Sequence, residues 1–245
     1  MIWSEGPLVN GIFMERLHRF GAWVRVRGRK EYCHVTNSGR LKELLYPGAK
    51  VALVDHLPKF KIHNSKLKIP RKTRFAVRLA FYQGKWVCIE ANIAPKLLME
   101  AWKEGRVPKL AAYNRLQAEV PLNRHTRFDF QAENSRTGDK AWIEVKCSTL
   151  VDDKGVGRFP DAPSSRATKH LHELMAQAKK PKTKCFVFFI LQNPHGKAVA
   201  PKDDTDPIFG KKLRKASRSG VTLGAFRARV SRIGARLDRM VPVLL

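Results

Sequence analysis

Apolar and polar positions alternate with a period of two through much of the first ninety residues, the pattern of half-buried strands. Strands are expected at Ile12–Phe20, Trp23–Arg29, Tyr32–Val35, Lys50–Val54, Arg74–Tyr82 and Lys85–Glu90, with Gln83-Gly84 as a hairpin turn between the last two. A short helix is expected over Ser38–Leu45, closed by Tyr46-Pro47-Gly48. Five or so short strands with one interposed helix suit an oligonucleotide-binding (OB) barrel. From Ala94 to Glu104 the spacing changes to that of a helix, and Gly105 and Pro108 stop it. Beyond it, strands are expected at Tyr113–Val120, Thr126–Gln131 and Ala141–Ser148. A helix follows over Ser164–Lys180, with Ser164 as its N-cap. Lys184–Leu191 is almost continuously apolar, as in a central strand covered on both faces. Asp206–Ser219 reads as a helix and Val221–Val230 as a strand. This order describes a mixed sheet carrying helices. The organisation expected is therefore α+β: an OB-like β-barrel over 1–90, a connector helix over 94–108, and an α/β unit over 109–245.

Charge alters this picture. The 245 residues hold 48 Lys+Arg against 21 Asp+Glu, a formal net charge of +27, while the hydrophobic fraction of 43% is ordinary for a folded protein. Such a surplus points to a polyanion, since each neutralised phosphate releases counterions and adds affinity that ignores sequence. A merely soluble basic surface would show the same total. The basic residues are clustered, however. Seven Lys or Arg and no acid lie between Lys59 and Arg74, including Lys66, Lys68, Arg71 and Lys72, in a loop joining two barrel strands. Alternation places Arg25 and Arg27 on one strand face beside Trp23. Arg166, Lys169 and His170 recur at helical spacings of three and four. A second basic face runs from Lys211 to Arg239.

The four cysteines (33, 88, 147, 185) form no C-x-x-C pair, which argues against zinc or a disulfide framework and fits a reducing cytoplasm. The first seven residues lack the character of a secretory signal, and no stretch approaches a membrane span.

Candidate chemistry centres on Ala141–Ser148. Glu144 and Lys146 sit two apart among apolar strand residues, so they leave the same face. A hairpin through Glu133–Asp139 brings Asp129, set between Phe128 and Phe130, opposite Glu144. Two carboxylates and a lysine at one sheet end suit a hard divalent cation, Mg²⁺ or Mn²⁺, which needs only one or two carboxylates beside a phosphate. Asp129 and Glu144 would be the ligands, with Glu119 as a further acid that holds a second metal or positions water. Lys146 would orient water or offset developing charge. The same residues would also fit a partly buried Glu144–Lys146 ion pair with no catalytic role.

Several stretches resemble the sugar fermentation stimulation protein A family: H-V-T-N-S-G-R-L-K-E-L-L-Y-P-G (His34–Gly48), E-V-P-L-N-R-H-T-R-F-D-F (Glu119–Phe130), I-E-V-K-C-S-T-L (Ile143–Leu150), F-P-D-A-P-S-S-R-A-T-K-H-L-H-E-L (Phe159–Leu174) and D-D-T-D-P-I-F-G (Asp203–Gly210). The resemblance implies an OB-like N-terminal domain followed by a PD-(D/E)xK nuclease-like domain. It also implies DNA binding without sequence preference and a regulatory role in sugar (maltose) metabolism. It lays the nuclease motif on Glu119, Asp129, Glu144 and Lys146, and the helix signature on Arg166, Lys169 and His170. The chain departs from the family pattern at Thr36-Asn37-Ser38-Gly39, where Pro-Asn-Thr-Gly is usual, which bears on the loop holding Asn37 and Arg40, two further expected nucleic-acid contacts. Two readings follow: a Mg²⁺-dependent nuclease acting on DNA or RNA, or a catalytically silent DNA-binding regulator. A third, an RNA- or ribosome-associated basic protein, leaves the acids unexplained.

Overall fold

A computed structural model describes residues 8–56 and 73–245, in two compact units. Most of the Lys59–Arg74 loop, with Lys66, Lys68, Arg71 and Lys72, lies outside the described residues.

The first unit takes in residues 8–56, 73–92 and 230–235. Its strands are β1 (Leu8–His18), β2 (Gly21–Val26), β3 (Arg29–Val35), β4 (Lys50–Asp55), β5 (Phe75–Tyr82) and β6 (Lys85–Cys88). They run in the order β3-β2-β1-β4-β5-β6, and a parallel pairing of β3 with β5 closes a five-stranded barrel. The OB-like expectation therefore holds. Inward positions of each strand fill the barrel with Phe13, Val24, Val26, Leu53, Phe75 and Val77, all nearly inaccessible. Burying each large side chain contributes roughly 1.5–3 kcal/mol.

Two local expectations are corrected. The strand expected over Trp23–Arg29 ends at Val26, because Arg27 (φ 50°) and Gly28 (φ 81°) form the β2–β3 turn and Val26 pairs with Arg29. Two left-handed residues match the twist of the flanking strands. Arg27 is thus at a hairpin tip and not on the strand face with Arg25. The helix expected over Ser38–Leu45 is a single turn, in which the N–H groups of Leu44 and Leu45 both donate to the Leu41 carbonyl. Leu41 sits at φ 53°, which a helix does not tolerate. Its side chain is completely buried in the barrel core, and that burial offsets the strain. The turn at Gln83-Gly84 forms as expected, with both residues left-handed.

The second unit comprises Ile93–Arg229 with Arg236–Leu245. It opens with α1 (Ile93–Lys103), which packs on β9 through its buried face and ends where Gly105 turns left-handed at φ 70°. Then come β7 (Arg115–Asn123), β8 (Thr126–Glu133), β9 (Lys140–Ser148), β10 (Val156–Phe159), α2 (Ser165–Ala178), β11 (Thr183–Leu191), β12 (Ala198–Pro201), α3 (Pro207–Arg218), β13 (Val221–Ser231) and β14 (Gly234–Val241). The main sheet is ordered β14-β13-β11-β9-β8-β7. β9, β11 and β13 are parallel, and β8 and β7 continue the sheet antiparallel. This is the mixed sheet expected.

β11 is central, as its apolar run requires. Cys185, Val187, Phe189 and Leu191 pack with Leu171 and Leu174 of α2 and Phe209 and Leu213 of α3. On the opposite face Phe186 and Phe188 meet Tyr113 and Phe226. Ser164 caps α2 by accepting from the Ala167 N–H (3.2 Å). The Asp206 carboxylate caps α3 through the Phe209 N–H (2.9 Å) and also accepts the Ser164 N–H (2.9 Å), which fixes where α2 begins. The sequence pattern missed β14, hidden among the arginines of the second basic face. It also missed the four-residue strands β10 and β12, which pair in a small parallel sheet.

Candidate active site

The β8–β9 ladder pairs Glu133 with Lys140, Ala132 with Ala141, Gln131 with Trp142 and Phe130 with Ile143. Continuing that register puts Asp129 across from Glu144. Here the backbone pairing gives way to a side chain: Asp129 Oδ2 accepts the Val145 N–H at 2.6 Å. On the other side, Ala118 pairs with Phe130 and Val120 with Phe128, which sets Glu119 across from Asp129. Glu119 has φ 56°, a conformation glutamate rarely adopts, and its exposed carboxylate pairs with Arg127 at 3.2 Å. Three adjacent strands therefore carry the three acids at one level of the sheet.

Glu144 is 5% exposed. Its Oε1 is 2.5 Å from Lys146 Nζ and 2.7 Å from His170 Nδ1, so two basic groups converge on one oxygen. The other oxygen, Oε2, is buried and has no hydrogen-bond partner. Burial disfavours the Glu144 charge, but Lys146 and His170 outweigh it and hold the pKa below the ordinary glutamate value. Asp129 is affected in the opposite sense. Burial, reinforced by the Glu144 carboxylate, pushes its carboxyl up to about 7, against the Val145 N–H and Lys146. The two facing acids are thus separated in their affinity for a proton.

His170 is 4% exposed and set edge-on to Phe128 at 5.5 Å. The helical spacing groups it with Arg166 and Lys169, and the fold also sets its Nδ1 2.7 Å from Glu144 Oε1. Arg166 and Lys169 do line an open cleft of ≈ 780 Å³ together with Asn123, Arg124, His125 and Arg127, and His170 forms part of the same wall. No acid lines it. Arg124, His125 and Arg127 went unnoticed in the sequence, although a basic turn between two expected strands was a signal for them. Glu173 was also missed. It accepts from the buried Thr126 hydroxyl at 2.7 Å, while its Oε2 is buried without a partner.

The remaining expected contacts belong to the barrel unit. Arg25 and Arg40 are exposed, and Arg27 sits at its turn. Asn37 is committed internally: its amide donates to the Ile89 carbonyl (2.9 Å) and its oxygen accepts the Gly39 N–H (2.8 Å). Among the described residues, no group of three or more His, Cys, Asp or Glu is arranged to hold a metal ion. None of the four cysteines forms a disulfide, and no helix among the described residues is long and apolar enough to cross a membrane.

A closed OB barrel followed by a mixed sheet, with Asp129 and the Glu144-x-Lys146 pair in the middle of adjacent strands, defines a two-domain protein with an OB unit and an α/β mixed-sheet unit. Residues 92–234 match the family model described as the sugar fermentation stimulation protein RE domain, and residues 14–89 match the SfsA N-terminal OB domain. The chain belongs to the sugar fermentation stimulation protein family. It is 40% identical over 244 residues to the homologue from Acetivibrio thermocellus, covering 98% of each chain. With the Chloroflexus aurantiacus homologue it shares 35% over 240 residues, 98% of this chain and 87% of that one. The structure of Pyrococcus furiosus SfsA in complex with Ca²⁺ superposes with a TM-score of 0.85 at 25% identity, covering 100% of both chains.

Proposed function

We propose that the protein binds DNA without regard to sequence and hydrolyses its phosphodiester backbone with a divalent cation, Mg²⁺ or Mn²⁺, held by Asp129 and Glu144. One observation carries this reading: a buried glutamate oxygen with no partner, Glu144 Oε2, on the carboxylate that faces Asp129. An orphaned anionic oxygen costs stability unless something positive meets it. Mg²⁺ keeps several waters and accepts as few as one or two protein carboxylates, so the pair suits it even with no third converging ligand among the described residues. The Pyrococcus furiosus relative is described in complex with Ca²⁺, a cation of the same oxygen-seeking class.

The chain's own groups then divide the work. Arg166, Lys169, Arg124 and Arg127 hold phosphates in the cleft, each as a charge-assisted contact. Lys146 keeps Glu144 ionised and offsets negative charge growing on the phosphate. His170 fixes Glu144 Oε1, which orients Oε2. Glu119, now paired with Arg127, would position a water or help hold a second cation. A bound cation supplies Lewis acidity to the phosphoryl oxygen and eases deprotonation of the attacking water.

The test is cleavage of labelled duplex, single strand and RNA with Mg²⁺ or Mn²⁺. Glu144→Ala is expected to abolish cleavage while retaining DNA in a gel shift, and its Mn²⁺ affinity is expected to fall. If the wild type cuts none of these substrates, the enzymatic reading is refuted. The silent DNA-binding regulator is then the better one, and the pairing of Glu119 with Arg127 and the lack of a three-ligand cluster among the described residues favour it. Either reading fits a role in regulating sugar (maltose) metabolism.

A further inference from the structure

The outer face of the barrel strands β1, β2 and β3 is unlike an ordinary solvated sheet surface. Its register sets His18 beside Gly21 and Gly21 beside His34, and Glu15 beside Trp23 and Trp23 beside Tyr32. Ile12, Arg25 and Lys30 follow in the next row. Five rings therefore lie on or beside this face, in a group of three and a pair. Trp23 meets Tyr32 edge-on at 5.6 Å, Tyr32 meets His18 at 6.4 Å, and Phe20 stacks on His34 at 6.2 Å. Phe20 remains 44% exposed and Tyr32 36%.

Gly21 lies beneath Tyr32 and His18. A Cβ there would come within 2.4 Å of Tyr32 Oη and 2.5 Å of His18 Nε2, so only glycine lets those two groups meet at 2.9 Å. Cations frame the rings. Lys30 lies over the Trp23 ring at 4.7 Å, and Arg25 and Arg29 are exposed nearby. Glu15, the acid in this register, is paired with Lys30 at 3.6 Å. Aromatic area left in water and ringed by cations matches a ligand that is flat and apolar in one part and anionic in another.

We propose that this face is a stacking platform for the unpaired bases of single-stranded DNA. Bases stack on exposed rings whatever their identity, and cations track the backbone between them. Bases inside a duplex are already stacked on each other and cannot reach the rings, so the platform selects the single strand. The inference rests on the DNA-binding reading above and adds to it the form of DNA and the place where it docks.

The test is fluorescence anisotropy of the full chain with a labelled oligo(dT) of ~15 nucleotides, a duplex of equal length and the matching oligo(U). The wild type is expected to bind oligo(dT) at least ~10-fold more tightly than duplex. Phe20→Ala and Tyr32→Ala are each expected to weaken oligo(dT) binding roughly 5–100-fold, with a smaller change for duplex. Tyr32→Phe, which keeps the ring, is expected to retain most of the affinity. Phe20 is exposed, so its removal leaves the barrel core intact, and a circular dichroism melt confirms that each variant is folded. Duplex bound as tightly as oligo(dT), alanine variants that bind like wild type, or oligo(U) preferred over oligo(dT) would each overturn the inference. No binding to DNA in any form would instead strike the underlying DNA-binding reading.

Discussion

Asp129→Asn tests the electrostatics of the acidic pair without relying on turnover. Burial and the neighbouring Glu144 push the Asp129 carboxyl from 3.8 up to about 7. Below about 3.8 both folded and unfolded chains keep the proton. As pH rises, the unfolded chain loses it first, while the folded chain keeps it until about 7. Stability linked to this proton is thus fully present below the unfolded value and lost as pH climbs through about 7. The full loss is on the order of 4 kcal/mol, of which roughly 2–3 kcal/mol falls between about pH 5 and about pH 8. Asparagine cannot ionise, and its amide oxygen can still accept the Val145 N–H. The assay is thermal unfolding of metal-free wild type and variant in EDTA across that pH range. The variant's advantage is expected to widen with pH by ~5–10 °C, at a few degrees per kcal/mol for a chain of this size. Saturating Mg²⁺ is expected to restore the wild type at high pH and leave the variant unmoved. Parallel melting curves across the range, or a variant that melts lower at about pH 8, would refute the argument.

Two further outcomes follow from the same geometry. Lys146→Met leaves Glu144 with His170 alone in a buried setting, so urea unfolding should show a loss on the order of 3 kcal/mol at neutral pH. Arg166→Ala and Lys169→Ala should weaken duplex binding evenly across sequences, each reducing the slope of log affinity against log salt by about one. A sequence-dependent loss, or an unchanged slope, would remove them from the phosphate contacts.

Much of this architecture was written in local patterns. Period-two alternation located the barrel strands, and Ser164 and Asp206 announced the two helices because a side-chain oxygen before an amphipathic run satisfies otherwise orphaned N–H groups. The unbroken apolar run of β11 required cover on both faces. The Asp129–Glu144 match was legible too, since a hairpin loop fixes which residues face each other. Other features had no local signature. β10 and β12 are too short to display a period. β14 carries Arg236, Asp238 and Arg239, whose charges masked its alternation. Arg27 and Leu41 adopt left-handed conformations that neither residue type advertises.

The sequence by itself determined the two-domain order, the strand faces and the acid-x-Lys spacing, because chain periodicity and residue polarity dictate them. The tertiary structure alone decided how the site is wired. It brings His170 from a distant helix onto Glu144, leaves one carboxylate oxygen without a partner, turns Glu119 toward Arg127 and sets Tyr32 and His18 above Gly21. Those contacts join residues far apart in the chain, and their energies depend on burial and distance, quantities that exist only once the sheet has formed.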